Sequence, residues 1–323
     1  MPDENGFMKQ RRKPGSRFLR QPERFRGFRI TPRDVELLKI IYEYRAVQPR
    51  HVMALIPGNN RRLAYRLQGL WNLSYVDRLA ANFQFRITKD HTPGGGSEPR
   101  TYVLDKKGAE TLAEASGQTI EEFGFDPRTR TRADEIFLRH ELMKATFRAT
   151  LELAVRHDPE LEIMEWRKER DCRDVVTTVF NGREEDHPVA PDWYVRVRDR
   201  GVERNFFIEC DRGTSRDAKF FRKLQNYWYY TDAESPYYET YPNAGNRLIL
   251  VVTTTPTRLA AMRKSLAKVD KKQRRLAQFW FTLEKDYDLM RPEMLLGPIW
   301  RQGPRTIADE RERKPDPLKA LFS

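Results

Sequence analysis

The sequence predicts an α/β chain in two parts: a helical N-terminal third, then a larger part in which strands alternate with helices. Three observations predict it. Apolar residues recur at helical spacing from Val35 to Trp71, and again from Ile136 to Val155. Between 161 and 254 they alternate or run together, as strand residues do. The chain has 323 residues, more than the roughly 100–200 that one domain usually holds.

The formal net charge is +13. An excess of that size attracts polyanions over long range and allows many phosphates to be neutralised. Only two cysteines occur, Cys172 and Cys210. Neither has CxxC spacing and no His cluster accompanies them, which argues against a structural zinc and for a reducing, cytoplasmic setting. No apolar run approaches the ~18–20 residues a membrane helix needs, and the first residues lack the apolar stretch of a signal peptide. No membrane partner is expected.

Residues 1–29 carry nine Lys and Arg against three acids and few apolar groups. That composition predicts a flexible basic arm of the kind that lies on DNA. Thr31-Pro32 opens a first helix with a hydroxyl cap and proline in the first turn. Val35, Leu38, Ile41 and Tyr42 form its inner face. Gln48-Pro49 opens a second, with Val52, Met53 and Ile56 inward. Pro57-Gly58-Asn59-Asn60 is a turn. A third helix follows from about Asn60 to Asn72, burying Leu63, Leu67, Leu70 and Trp71. Its outer face shows Arg61, Arg62, Tyr65, Arg66 and Gln68. Tyr75 to Leu79 reads as a strand. A hairpin comes next, from Phe83 to Ile87 and from Thr101 to Leu104 around a Pro93-Gly94-Gly95-Gly96 tip. A helix with Leu112 closes the segment.

That order is the order of a winged helix-turn-helix, assigned to residues 30–117. Its third helix fits a major groove that just admits one helix. The expected DNA contacts are Asn59, Asn60, Arg61, Arg62, Tyr65, Arg66 and Gln68 on that helix, with Lys89 and Arg100 on the hairpin. The partner is double-stranded DNA. A homodimer is a further expectation, since paired half-sites suit this motif.

Gly and Pro mark residues 118–131 as a linker. From 132 to 300 a helix (about Thr131 to His157, inner stripe Ile136, Leu142, Met143, Phe147, Leu151, Val155) leads into strands. These run at Leu161 to Trp166, Val175 to Phe180, Trp193 to Val197 and Asn205 to Asp211. A helix over about Arg216 to Tyr230 follows, then a buried strand over Arg247 to Thr254. A helix from about Thr257 to Lys271 and a strand near Gln278 to Thr282 complete the pattern, a mixed sheet flanked by helices. Residues 301–323 read as a loose polar tail.

Acids stand at the strand ends. Pro191-Asp192 precedes one strand and Glu209-Cys210-Asp211 ends the next. Alternation puts Phe207, Glu209 and Asp211 on one face and Phe206, Ile208 and Cys210 on the other. Buried carboxylates need a compensating charge, and a hydrated Mg²⁺ held by Asp192, Glu209 and Asp211 is one way to supply it. An ionic network with Arg212, Arg216 or Lys223 is another. These residues resemble the nuclease superfamily with a PD…(D/E)xK core, the restriction-endonuclease-like fold. Asp211 stands where the usual lysine would be. Lys219 or Lys223 on the following helix can replace it, and Lys223 is favoured because it shares a helical face with Tyr227. Asp192, Glu209, Asp211 and Lys223 are thus the candidate catalytic residues.

The string Pro191-Asp192 … Phe206-Phe207-Ile208-Glu209-Cys210-Asp211-Arg212-Gly213-Thr214 … Lys223-Leu224 … Tyr227, downstream of a winged helix, resembles the replication-relaxation family over roughly residues 30 to 255. The resemblance implies a role in plasmid or mobile-element replication and DNA relaxation. His140 stands where that family often has a histidine, and its two readings are a cap on the site or simple packing, with packing favoured. Two functions follow as expectations: Mg²⁺-dependent nicking of DNA, or DNA binding with an inactive nuclease-like scaffold.

Overall fold

The computed structural model describes residues 19–79, 99–127, 135–180, 183–213, 217–231, 237–241, 247–269, 276–303 and 318–322. The chain divides into two compact units, Met1–Leu138 and Arg139–Ser323. The protein is of the α/β class. Among the described residues no helix is long and apolar enough to cross a membrane.

In the first unit, α1 (Pro32–Tyr44), α2 (Pro49–Leu55) and α3 (Asn60–Asn72) precede a short antiparallel pair, β1 (Val76–Arg78) with β2 (Tyr102–Leu104). Then come α4 (Lys106–Ala115) and α5 (Ile120–Phe123). The helices start where the sequence caps them. Asp34 accepts from the Thr31 amide at 2.7 Å, and Asn59 accepts from the Arg62 amide at 3.1 Å. Leu37, Leu38, Ile41, Val52, Leu63, Leu67, Leu70, Val103 and Leu112 are buried. Val47 exchanges backbone hydrogen bonds with Tyr102 at 2.8 and 3.0 Å, tying the turn after α1 to β2.

Two expectations for this unit are corrected. The composition of residues 1–29 predicts a flexible arm, yet residues 19–30 pack. Arg20 bonds Asp77 and Asp105, and Phe25 is buried. The linker of 118–131 contains α5, started by a Thr119–Glu122 capping box, and the Tyr42 hydroxyl donates to the Phe123 carbonyl at 2.9 Å. The expected hairpin of Phe83 to Ile87, its glycine tip and Lys89 lie outside the described residues.

The boundary at Leu138 falls inside α6 (Glu135–His157). The second unit is built on a mixed six-stranded sheet of β3 (Leu161–Lys168), β6 (Trp193–Asp199), β7 (Val202–Asp211), β8 (Arg247–Thr253), β9 (Phe279–Leu283) and β10 (Arg301–Gln302), in the order β10-β9-β8-β7-β6-β3. β7, β8 and β9 are parallel neighbours and the other pairings are antiparallel. A separate hairpin, β4 (Asp174–Phe180) with β5 (Arg183–Val189), was expected only in its first strand. Three further helices are α7 (Asp217–Tyr230), α8 (Tyr237–Thr240) and α9 (Pro256–Val269).

Both faces of the sheet are covered. Phe207, Ile249 and Val251 pack with Leu224 and Tyr227 of α7 and Leu259 of α9. Phe206, Ile208 and Cys210 pack with Phe147 and Leu151 of α6. Ile136, expected in the buried stripe of α6, is exposed. The expected loose tail is corrected at both ends. β10 pairs with β9, Lys319 pairs with Trp300, and Leu321 is buried in the same α6-side core as Trp300 and Phe206. Residues 304–317 lie outside the described residues.

Candidate functional site

The amphipathic sequence of α3 fixes what it presents. Leu63, Leu67, Leu70 and Trp71 are buried, so Asn60, Arg61, Tyr65 and Gln68 fall on the exposed side, with Asn59 and Arg62 beside them. Arg61 and Arg62 pair with no acid among the described residues. Arg66 departs from the expectation of an outward cation. Its guanidinium clasps the fully buried Asp34 through Nε and one terminal nitrogen, donates to the Arg29 carbonyl at 2.7 Å and lies 3.7 Å from the Phe28 ring centre. An acid with no exposed surface needs such a partner, so Arg66 is committed to holding α1 and α3 together. Arg100 is half-buried just before β2.

A second group of charges gathers at one end of β6 and β7. Asp192 precedes β6; its amide donates to the Ile208 carbonyl at 3.0 Å and its Oδ2 accepts from the Cys210 amide at 2.8 Å. Its Oδ1 lies 3.1 Å from His140 Nε2 and 3.7 Å from Lys144 Nζ. Lys144 also reaches Glu141 at 3.2 Å. Glu209, on β7, is bonded by Lys223 and accepts from the Tyr227 hydroxyl at 2.5 Å. Lys223 and Tyr227 sit one helical turn apart on α7, which aims both at the sheet end. Lys219 is exposed on the same helix.

Asp211 is drawn away from this group. Arg258 of α9 grips both its oxygens at 3.0 and 3.2 Å, and the Gly213 amide donates to it at 2.8 Å. The sequence missed Lys144 and Glu141. Their only signal was a Glu-x-x-Lys step inside an apolar stripe, which an exposed helix face would also show.

Burial works against the Asp192 charge, but Lys144 and His140 outweigh it and hold this carboxyl well below the usual range. Burial alone would lower the His140 imidazole; the Asp192 carboxylate more than offsets that and keeps it above its ordinary value. Glu209 goes the other way. Desolvation pushes its carboxyl up to about 7 in spite of Lys223, with the Asp192 charge adding to the rise. Lys223 loses by burial but gains more from Glu209, and stays protonated.

A family model described as replication-relaxation matches residues 38–244, more than half of the chain. The chain belongs to the replication-relaxation family. No curated protein and no solved structure gives a significant match. Membership suggests a role in plasmid or mobile-element replication. The matched region contains α3 as well as Asp192, Glu209 and Lys223, so both groups of residues belong to the part this replication-relaxation protein shares with its family.

The sequence offers a Mg²⁺ ion on Asp192, Glu209 and Asp211 as one of two ways to compensate these acids, the other being an ionic network. The residues do not fit that ion in the arrangement observed. Asp211 is committed to Arg258, and the oxygens of Asp192 and Glu209 are engaged by His140, Lys144, Lys223, Tyr227 and a backbone amide. The acids Glu141, Asp192 and Glu209 face the bases His140, Lys144 and Lys223, which leaves little charge for a divalent ion to neutralise. Among the described residues no group of three or more His, Cys, Asp or Glu is placed to hold a metal ion.

Proposed function

We propose that this replication-relaxation protein is a sequence-selective double-stranded DNA-binding protein whose first unit acts as a winged helix, with α3 as the reading helix. The exposed row Asn60, Arg61, Arg62, Tyr65 and Gln68 on a helix whose opposite face is buried carries the reading. Arg and Gln suit guanine and adenine edges, and a cation beside them suits phosphate. In the second unit the balanced charges act as an internal framework that ties α6 and α7 to the sheet, and the protein binds DNA without cutting it. The experiment is selection from a pool of randomised duplexes by the full-length protein. Enrichment of a common sequence is expected; an unselected pool after repeated rounds contradicts the reading.

A second reading, nicking of one DNA strand, draws support from the meeting of Asp192, Glu209 and Lys223 at one sheet end, with a carboxyl that titrates near neutrality among them. Supercoiled plasmid incubated with the protein and Mg²⁺ or Mn²⁺ separates the two. Our reading predicts no open circles. Conversion to open circles that is lost in Glu209→Gln would establish cleavage instead.

A further inference from the structure

Residues 19–30 form a strap laid against α3. Arg20 fastens one end, donating to the Trp71 carbonyl at 2.9 Å and pairing with Asp77 and Asp105 at 3.0 and 3.1 Å. The Gln21 amide donates to Asn72 Oδ1 at 2.6 Å. In the middle, Phe25 is buried, its ring centre 5.5 Å from that of Tyr65. At the other end, the Phe28 ring fits the notch left by Gly69, where an added Cβ would stand 2.2 Å from a ring carbon. Arg66 covers that ring and grips the Arg29 carbonyl.

The anchoring groups face inward and the remaining arginines face out. Arg24, Arg26 and Arg29 are exposed and pair with no acid among the described residues. The Phe25–Tyr65 contact sets this charge beside the exposed face of α3. We propose that the strap is a second nucleic-acid contact, in which Arg24, Arg26 and Arg29 take backbone phosphates of the duplex while α3 faces the bases. The inference rests on the DNA-binding reading above and adds a division of labour to it. Phosphate contacts fix register without reading sequence, and a strap already fastened to the reading helix does so without the ordering cost of a loose arm. Arg66 then serves DNA indirectly, as the clasp of the strap.

The test uses the full-length protein and two labelled duplexes, one selected from the random pool and one of scrambled sequence, with affinity followed over a salt series. Arg24→Ala/Arg26→Ala/Arg29→Ala should weaken both duplexes by the same factor and reduce the slope of log affinity against log salt by about 2.7, the value for three lost phosphate contacts. Gly69→Ala keeps every arginine but evicts Phe28. It should quicken tryptic cleavage at Arg24 and Arg26 and weaken both duplexes as well. A triple variant that binds as tightly as wild type, with the same slope, overturns the strap while leaving the α3 reading intact. Faster cleavage in Gly69→Ala with undiminished affinity overturns the requirement for a fixed strap. A wild-type protein with no salt-dependent affinity removes the DNA reading and this inference together.

Discussion

Asp34 shows how one residue decides what its neighbours can do. It has no exposed surface, and its carboxylate is met by the Thr31 amide and hydroxyl and by Arg66. Removing one partner of a buried pair leaves an uncompensated charge, so Arg66→Ala is expected to cost about 3–5 kcal/mol. Arg61→Ala, on the exposed side of the same helix, is expected to stay within about 0.5 kcal/mol. Denaturant unfolding of the two variants checks the contrast, and equal effects would contradict it. Glu209 carries a second residue-scale prediction. A carboxyl raised to about 7 in the folded state contributes stability below its ordinary 4.5, and that contribution is lost as pH rises through 7. The stability of wild type relative to Glu209→Gln should therefore fall between pH 4.5 and 7. A difference that stays flat over that window would place the Glu209 titration elsewhere.

At the scale of elements, the segments with strong periodicity were legible and those held by isolated contacts were not. The helix α7 was readable down to the face shared by Lys223 and Tyr227, because its spacing leaves one way to meet the sheet. The strand β7 was readable because alternation separates Phe207 and Glu209 from Ile208 and Cys210. The hairpin strand β5 was not, since Arg183, Glu184, Glu185 and Asp186 are all exposed and read as loop. The strap was missed for a related reason: Phe25 and Phe28 stand among arginines with no period to reveal them. In α6 every residue from Glu141 to Thr150 is buried, so a single apolar stripe understated how much of it is core and hid Lys144. The C-terminal segment gives the element-scale prediction. Leu321→Ala should cost about 2–5 kcal/mol as a large-to-small core change, where a loose tail would show almost nothing. Thermal or denaturant unfolding distinguishes these outcomes.

For the whole molecule, the net charge of +13 has to be weighed against where the charge is spent. In the second unit much of it is met internally, as in Arg196 with Glu203, Arg204 with Asp199 and Arg258 with Asp211. In the first unit Arg24, Arg26, Arg29, Arg61 and Arg62 remain exposed on α3 and the strap beside it. Exposed cations of this kind make affinity for a polyanion fall steeply with salt. The measurement that bears most directly on the account is the dissociation constant of full-length wild type and of Arg61→Ala/Arg62→Ala for the selected duplex and its scrambled counterpart at one moderate salt concentration. The account predicts that the double variant loses at least about tenfold on the selected duplex and most of its preference over the scrambled one, in line with roughly 1–3 kcal/mol for each base-reading side chain. Unchanged affinity and preference in the double variant would contradict it.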